Sequence, residues 1–303
     1  MARAKVRAIA RVAWAELPAA VRVAVGAQVG PVLDAAPVAD GLTCAMAEVL
    51  TTSDGRVFVK GVPVSQERGV AAQSWEVAVN PLVAGIAPLL LTRIEVAGWD
   101  VLVFEHIEGR HADLSPPSPD VPLVADALRQ TQQLTAGGLA PRLADRFAGF
   151  LDAGEQSLLA GDALLHTDTN PHNFLIGGGR AHVVDWAMVA SGPAWVDVAY
   201  LMVRLMEADW TAAQALEWAG QFPSWRGVDP VAVRAFVRGA CRQWESIVGT
   251  VEARPGNGRY AALLGATEPA AVPGPAVPDP AVPDPAVPSA VSRSAIGPRE
   301  ATT

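Results

Sequence analysis

Cysteine is scarce. Two residues, Cys44 and Cys241, stand in a chain of 303, too few for a disulfide framework and in keeping with a reducing compartment. Both read as ordinary buried thiols. An excess of positive charge is also missing: 23 Lys and Arg face 31 Asp and Glu, a formal net charge of -8 spread along the chain. A general nucleic-acid binder would carry a basic stripe, so that class is excluded. Long apolar runs are absent too. The stretch "LVAGIAPLLL" at 82–91 falls well short of the roughly 20 residues a membrane span needs. The N-terminal "MARAKVRAIARVAWAEL" is basic, but arginines interrupt it and no small-residue cleavage site follows. It reads as a surface helix of a cytoplasmic protein, ahead of a targeting segment. The "GGG" at 177–179 is followed by a strand pattern, which excludes a dinucleotide-binding fingerprint.

Half of the residues are hydrophobic, enough to build a sizeable core split into two lobes. Residues 1–37 are expected to be a helical extension. From there to 107 the pattern is strand-rich: "GLTCAMAEVL" and "RVFVKGV" flank "TTSDG", whose Asp54-Gly55 step signals a hairpin, and "WDVLVFEHI" at 99–107 is a further strand. Helical spacing interrupts at 70–83. Residues 108–120, "EGRHADLSPPSPD", read as a linker, and 121–266 as a mostly helical lobe around one hairpin. Clustered strands followed by helices make the fold class α+β. From 267 to 303 the chain repeats AVPDP, a proline density that permits neither helix nor ladder and predicts a disordered tail.

Polar residues concentrate at "LHTDTNPHNFLI" and "VVDWA". Centred on Gly179, the hairpin "NFLIGGGRAHVVDW" sets Leu175 against Val183, Phe174 against Val184 and Asn173 against Asp185. An amide oxygen and a carboxylate then meet at the open end of an apolar hairpin, with Asp168 in the approach loop. Hard oxygen donors of this kind suit Mg²⁺. Asp and Asn also favour turns, but an Asp that completes an apolar strand opposite an Asn calls for more than turn chemistry.

An Asp, four residues, an Asn and then a strand-borne Asp is the order found in phosphoryl-transfer enzymes. On "HTDTNPHN" and "VVDWA" the chain resembles the aminoglycoside phosphotransferase family, small-molecule kinases with a protein-kinase-like fold, over about residues 38–265. The resemblance implies two lobes, with a nucleotide-binding N-lobe at 38–107, a hinge at 108–120 and a catalytic C-lobe at 121–266. It makes Asp168 the catalytic group that orients or deprotonates the acceptor hydroxyl. Asn173 and Asp185 become the Mg²⁺ ligands on the phosphates of ATP or GTP. His166 and Asp197 become supports of the catalytic loop. Lys60 in "VFVKGV" is the expected phosphate-gripping lysine; Glu76 is its expected helix partner, with Glu67 as the fallback. Val103, Phe104, Glu105, His106 and Ile107 are expected along the adenine edge. Three departures accompany this: Thr167 replaces the usual Gly, Asn170 the frequent His, and "ADGLTCAMAE" offers only Gly41 where a glycine-rich loop is expected.

The expected activity is transfer of a nucleotide γ-phosphate to a hydroxyl of a small molecule, an aminoglycoside-type antibiotic being one candidate acceptor. Partners are then nucleotide and acceptor, with neither nucleic acid nor membrane, and the sequence leaves the oligomeric state open. Two alternatives remain: a kinase-like module that binds without turnover, and a metallohydrolase built from His166, Asp168, His172 and Asp185. Trp210, Trp218 and Trp225 with Glu207, Asp209 and Glu217 suggest either an acceptor surface for a polycation or plain core.

Overall fold

The computed structural model describes residues 11–38 and 44–266. The expected tail at 267–303, the first ten residues and Gly41 lie outside the described residues. Helix α1 (Ala19–Val29) places Val21, Val25 and Val29 on one stripe, the spacing that lets a helix bury one face. That stripe packs with Trp14 and Leu17 on a sheet, against Leu50, Val57, Val59, Val101 and Val103. The sheet contains β1 (Val32–Pro37), β2 (Met46–Thr52), β3 (Gly55–Pro63), β4 (Leu90–Val96) and β5 (Trp99–Glu105) in the order β1-β2-β3-β5-β4, with every neighbouring pair antiparallel. The expected helical extension over 1–37 therefore ends early. Val32–Pro37 pairs with β2 because Gly30, at φ 84, stops the helix and turns the chain back onto the sheet.

Alternation along β3 divides its side chains between two faces. Val57 and Val59 enter the core under α1, while Phe58 and Lys60 face the opposite side, towards a cleft. Helix α2 (Glu67–Val79) crosses that side. The expected linker at 108–120 is in part structured: β6 (Arg110–His111) pairs with β8 (Phe174–Gly177), and Arg110 Nη2 donates to Asp120 Oδ1 at 2.8 Å. Asp120 opens α3 (Asp120–Thr131).

The second lobe is helical around two small sheets. Residues 141–160 form two short helices, α4 (Leu143–Arg146) and α5 (Ala153–Ser157), because Asp152 and Glu155 make a capping box that starts a new helix. Strand β7 (Ala163–Leu165) leads into the polar loop, and β8 and β9 (Arg180–Val183) form the hairpin. Then come β10 (Ala190–Gly192), α6 (Trp195–Glu207), α7 (Ala212–Ala219), α8 (Pro223–Arg226), α9 (Pro230–Val248) and α10 (Thr250–Ala262). Phe147, Trp186, Leu201 and Phe236 are among the largest side chains buried in this lobe. No helix among the described residues is long and apolar enough to cross a membrane.

Candidate active site

A cleft of about 1170 Å³ opens between the sheet and the helical lobe. Lys60 reaches into it from β3. Its Nζ lies 2.6 Å from Glu76 Oε2 on α2 and 2.9 Å from Asp185 Oδ1 after β9. Burial alone would lower the Lys60 ammonium, but the Asp185 and Glu76 carboxylates outweigh it and hold its pKa above the ordinary value. Burial raises the Glu76 carboxyl, and Lys60 offsets this only in part. Burial acts the same way on Asp185, yet there the Lys60 ammonium prevails and keeps the carboxyl below its usual range. One ammonium thus serves two carboxylates, and Asp185 stays ionised. Glu67, at the start of α2, makes no ion pair with Lys60.

The hairpin register differs from the sequence expectation by one residue. Phe174 faces Val183 and Leu175 faces His182, because the turn consists of Gly178 and Gly179 at φ 59 and 77. Two consecutive positive φ values are the signature of a two-residue hairpin turn, so its centre lies between the glycines. Asn173 consequently stands opposite Val184, whose N–H donates to the Asn173 carbonyl at 2.9 Å. Asp185 comes one residue later, in the left-handed region at φ 61 and ψ 66. That conformation is tolerated by Asp more readily than by most residues, and such strain gathers at functional sites. Asn173 and Asp185 still line the same cleft, although they are not cross-strand partners.

Asp168 sits across the cleft from Lys60. The Asn173 side-chain nitrogen donates to the Asp168 carbonyl at 2.9 Å and to its Oδ2 at 3.0 Å. With that nitrogen committed, the amide oxygen is the end left to face a cation. The loop is fixed from below by Asp197, in the first turn of α6, whose carboxylate accepts the His166 N–H at 2.7 Å and the Thr167 N–H at 2.9 Å. Burial raises the Asp197 carboxyl, opposed by His166, the two amides and Arg146. His166 lies 2.9 Å through Nε2 from the Val184 carbonyl, and its Nδ1 accepts the Asp168 N–H at 3.3 Å. Both ring nitrogens are therefore used inside the loop, and the tautomer follows.

Thr167 adopts φ 62, the left-handed conformation that explains why glycine is usual at this place. Its hydroxyl donates to the Met188 carbonyl and accepts from Arg146 Nη1 at 2.6 Å. These bonds, with Asp197, hold a β-branched residue where it would otherwise be strained. Asn170 caps the short turn at Pro171–Asn173 by accepting the His172 N–H.

Among the expected adenine-edge residues, Phe104, Glu105, His106 and Ile107 line the cleft. Val103 does not: it is wholly buried under α1, since alternation along β5 sends it to the far face. The half-buried Cys44 lines the cleft, with its thiol pushed up by burial. Of the three tryptophans, Trp225 is buried and Trp210 donates to the Leu114 carbonyl at 2.8 Å. Trp218 packs on Phe222. All three belong to the core, and Asp209 and Glu217 stay out of the cleft. The acceptor side is lined instead by Arg146, Tyr200, Arg204, Glu207, Trp244 and Arg259. Sequence reading missed most of these. Arg204 follows Asp197 by seven residues on one helix, hence on the same face, and that spacing was the available signal. Lys60 carried one as well, because Lys5 is the only other lysine in the chain.

Residues 116–236 match the model of the family described as "Phosphotransferase enzyme family". No curated protein matches the chain in sequence. Among solved structures, a thermostable mutant of aminoglycoside phosphotransferase APH(4)-Ia, in a ternary complex with AMP-PNP and hygromycin B, is similar at 14% identity and a TM-score of 0.57, covering 82% of this chain and 99% of that one. Choline kinase LicA from Streptococcus pneumoniae is similar at 13% identity and a TM-score of 0.56, covering 82% of this chain and 98% of that one. At such identities the likeness shows the fold, a two-lobed kinase-like architecture. The resemblance to the aminoglycoside phosphotransferase family therefore stands on the fold of the whole described chain and on the sequence of residues 116–236.

Proposed function

We propose that the protein transfers the γ-phosphoryl group of ATP or GTP to a hydroxyl of a small molecule, with Mg²⁺ as cofactor. The observation that carries this reading is the ion triad Lys60, Glu76 and Asp185 sharing one cleft with the Asn173–Asp168 pair. Similar folds hold AMP-PNP in the APH(4)-Ia complex and AMP in LicA, which supports a nucleotide co-substrate. Its adenine would lie along Phe104 to Ile107 and its phosphates near Lys60.

The donors fit magnesium. Asp185 is a carboxylate kept ionised by Lys60, and Asn173 has its nitrogen committed to Asp168, leaving two hard oxygen donors of the kind this ion takes alongside phosphate oxygens and water. When bound there, the ion supplies charge neutralisation at the β- and γ-phosphates. Asp168, held by Asn173, orients the acceptor hydroxyl and takes its proton. A bond forms from the acceptor oxygen to the γ-phosphorus as the bond to the β,γ-bridging oxygen breaks. Positioning and fixed charge do most of the work.

A metallohydrolase built on His166, Asp168, His172 and Asp185 has weaker support. His166 spends both nitrogens within the loop, and His172 stacks edge-on against His111 with ring centroids 5.0 Å apart. Among the described residues no three His, Cys, Asp or Glu side chains gather as a metal cluster.

The test is ADP release from Mg-ATP or Mg-GTP over a panel of hydroxylated acceptors, with Asp168→Asn alongside. The variant is expected to lose about 100-fold or more in kcat while its nucleotide Kd stays unchanged. Retained turnover in the variant would remove Asp168 from its role. Tight nucleotide binding with no ADP from any acceptor would favour a binding module.

A further inference from the structure

The acceptor side of the cleft carries a charge arrangement unsuited to a polycation. Arg204 Nη1 donates to Glu207 Oε2 at 2.8 Å, and Arg204 Nη2 lies 3.8 Å from Asp168 Oδ1. Arg259 Nη1 approaches the other oxygen of the same Glu207 carboxylate at 3.6 Å, longer than a hydrogen bond. One carboxylate therefore serves two guanidinium groups beside the proposed catalytic Asp. The other acid on this side, Glu252, is exposed at the start of α10. Arg146 adds no free charge, since its guanidinium bonds Thr167 and the Met188 carbonyl. An ammonium group placed next to Asp168 would have to lie against Arg204, with no unshared carboxylate beside it.

A carboxylate or phosphate fits the same place. Arg259 is only loosely engaged, and a guanidinium presents a planar fork that matches such groups in two-point fashion. Because Arg204 lies between Glu207 and Asp168, an anion held at this cluster would bring a hydroxyl a few bonds away towards the Asp168 carboxylate. Next to the arginines the cleft turns apolar. Trp244 and Ile247 on α9 line it and are 38% and 58% exposed. The Trp244 indole lies over Gly256, where a Cβ would come within 3.4 Å of its Nε1.

We infer that the acceptor is a small hydroxylated anion with an apolar portion: the anionic group pairs with Arg259 and Arg204, the apolar portion lies on Trp244, and the hydroxyl meets Asp168. This rests on the phosphotransferase reading and names its substrate class, setting aside aminoglycosides and cationic amino alcohols.

Calorimetric titration of the full chain in Mg-ADP separates the possibilities with three probes that share a benzylic hydroxyl. These are mandelate (anionic), methyl mandelate (neutral) and 2-amino-1-phenylethanol (cationic); hygromycin B is a fourth arm. Mandelate is expected to bind about tenfold or more tighter than the ester, the value of one charge-assisted hydrogen bond. Arg259→Gln should erase that preference and Arg259→Lys should keep part of it. Tighter binding of the amine or of hygromycin B, or no difference among the three probes including none binding, overturns the assignment. So does a preference that survives Arg259→Gln. Nucleotide affinity is measured separately without probes. Failure there sinks the phosphotransferase reading itself, whereas sound nucleotide binding with the wrong preference sinks only the acceptor class.

Discussion

Lys60 and Glu76 face each other at 2.6 Å in a buried part of the cleft, with side-chain exposures of 6% and 4%. A buried carboxylate whose counter-charge is removed costs far more than the pair itself contributes, roughly 3–5 kcal/mol. Lys60→Met is therefore expected to lower the unfolding free energy by about that amount at neutral pH and to abolish turnover. The deficit should depend on pH. Burial already raises Glu76 above its ordinary value, and Lys60 is the main force lowering it. Without Lys60 the folded pKa moves further above the unfolded one. A group with a raised folded pKa binds its proton more tightly in the native state, so stability falls as pH rises through that window. The variant should thus recover part of its loss at pH 5 relative to pH 8, whereas the wild type should not. Urea midpoints at both pH values measure this, and an equal deficit at the two would remove the unpaired-carboxylate explanation.

The chain has two tyrosines, Tyr200 and Tyr260, and both line the cleft with ring centroids 6.3 Å apart. Burial pushes the Tyr200 phenol up to about 12 and raises Tyr260 well above the ordinary 10.0. A spectrophotometric titration of the native protein should accordingly show almost no tyrosinate at pH 10 to 11, where a solvated phenol is half ionised or more. Sign follows from proton counting: the unfolded chain loses these protons first, so stability falls as pH rises from 10 towards 12. Early ionisation of one tyrosine near pH 10, with the fold intact by circular dichroism, would show that the acceptor side is open to water.

Much of the site was legible because phosphoryl-transfer chemistry fixes residue types at short spacings. Asp168, Asn173 and Asp185 fall within one loop and hairpin, and Asp197 begins the next helix. Lys60 and Glu76 needed the downstream loop to lend them weight, since a strand lysine alone is more often a surface group. The misjudged details have local causes. Two glycines with positive φ moved the hairpin register by one residue, a shift that composition cannot reveal because "GGG" permits either centre. Strand β1 was read as helix because its VLDAAP sequence lacks alternation, and its burial is irregular as well. On the acceptor side, Arg204, Trp244 and Arg259 come from three different helices. No short motif links them; only helix packing brings them to one cleft.

Gly177 shows how the hairpin and the proposed adenine edge depend on each other. A Cβ at Gly177 would lie 2.2 Å from the Glu108 carbonyl oxygen, and one at Gly109 would lie 2.7 Å from the Ile176 carbonyl oxygen. The segment that follows Ile107 therefore rests directly on the backbone of β8, and only glycine permits the approach. Gly177→Ala must push the two apart, since neither backbone can rotate out of the way as a side chain would. Overpacking of this kind costs about 1–3 kcal/mol. The displaced segment carries Glu105 to Ile107, so nucleotide affinity should weaken between roughly 10-fold and 100-fold, as misplacements near 1 Å do. Gly178→Ala is the matched control. It has open space around its Cβ but a φ of 59, so it is expected to lose about 1–2 kcal/mol to backbone strain without moving the hinge. Melting temperature and the Kd of a fluorescent ADP analogue, measured on both variants, separate the effects. Both should melt earlier, and only Gly177→Ala should bind nucleotide more weakly. Equal affinities in the two variants would mean that the hinge and the hairpin move independently.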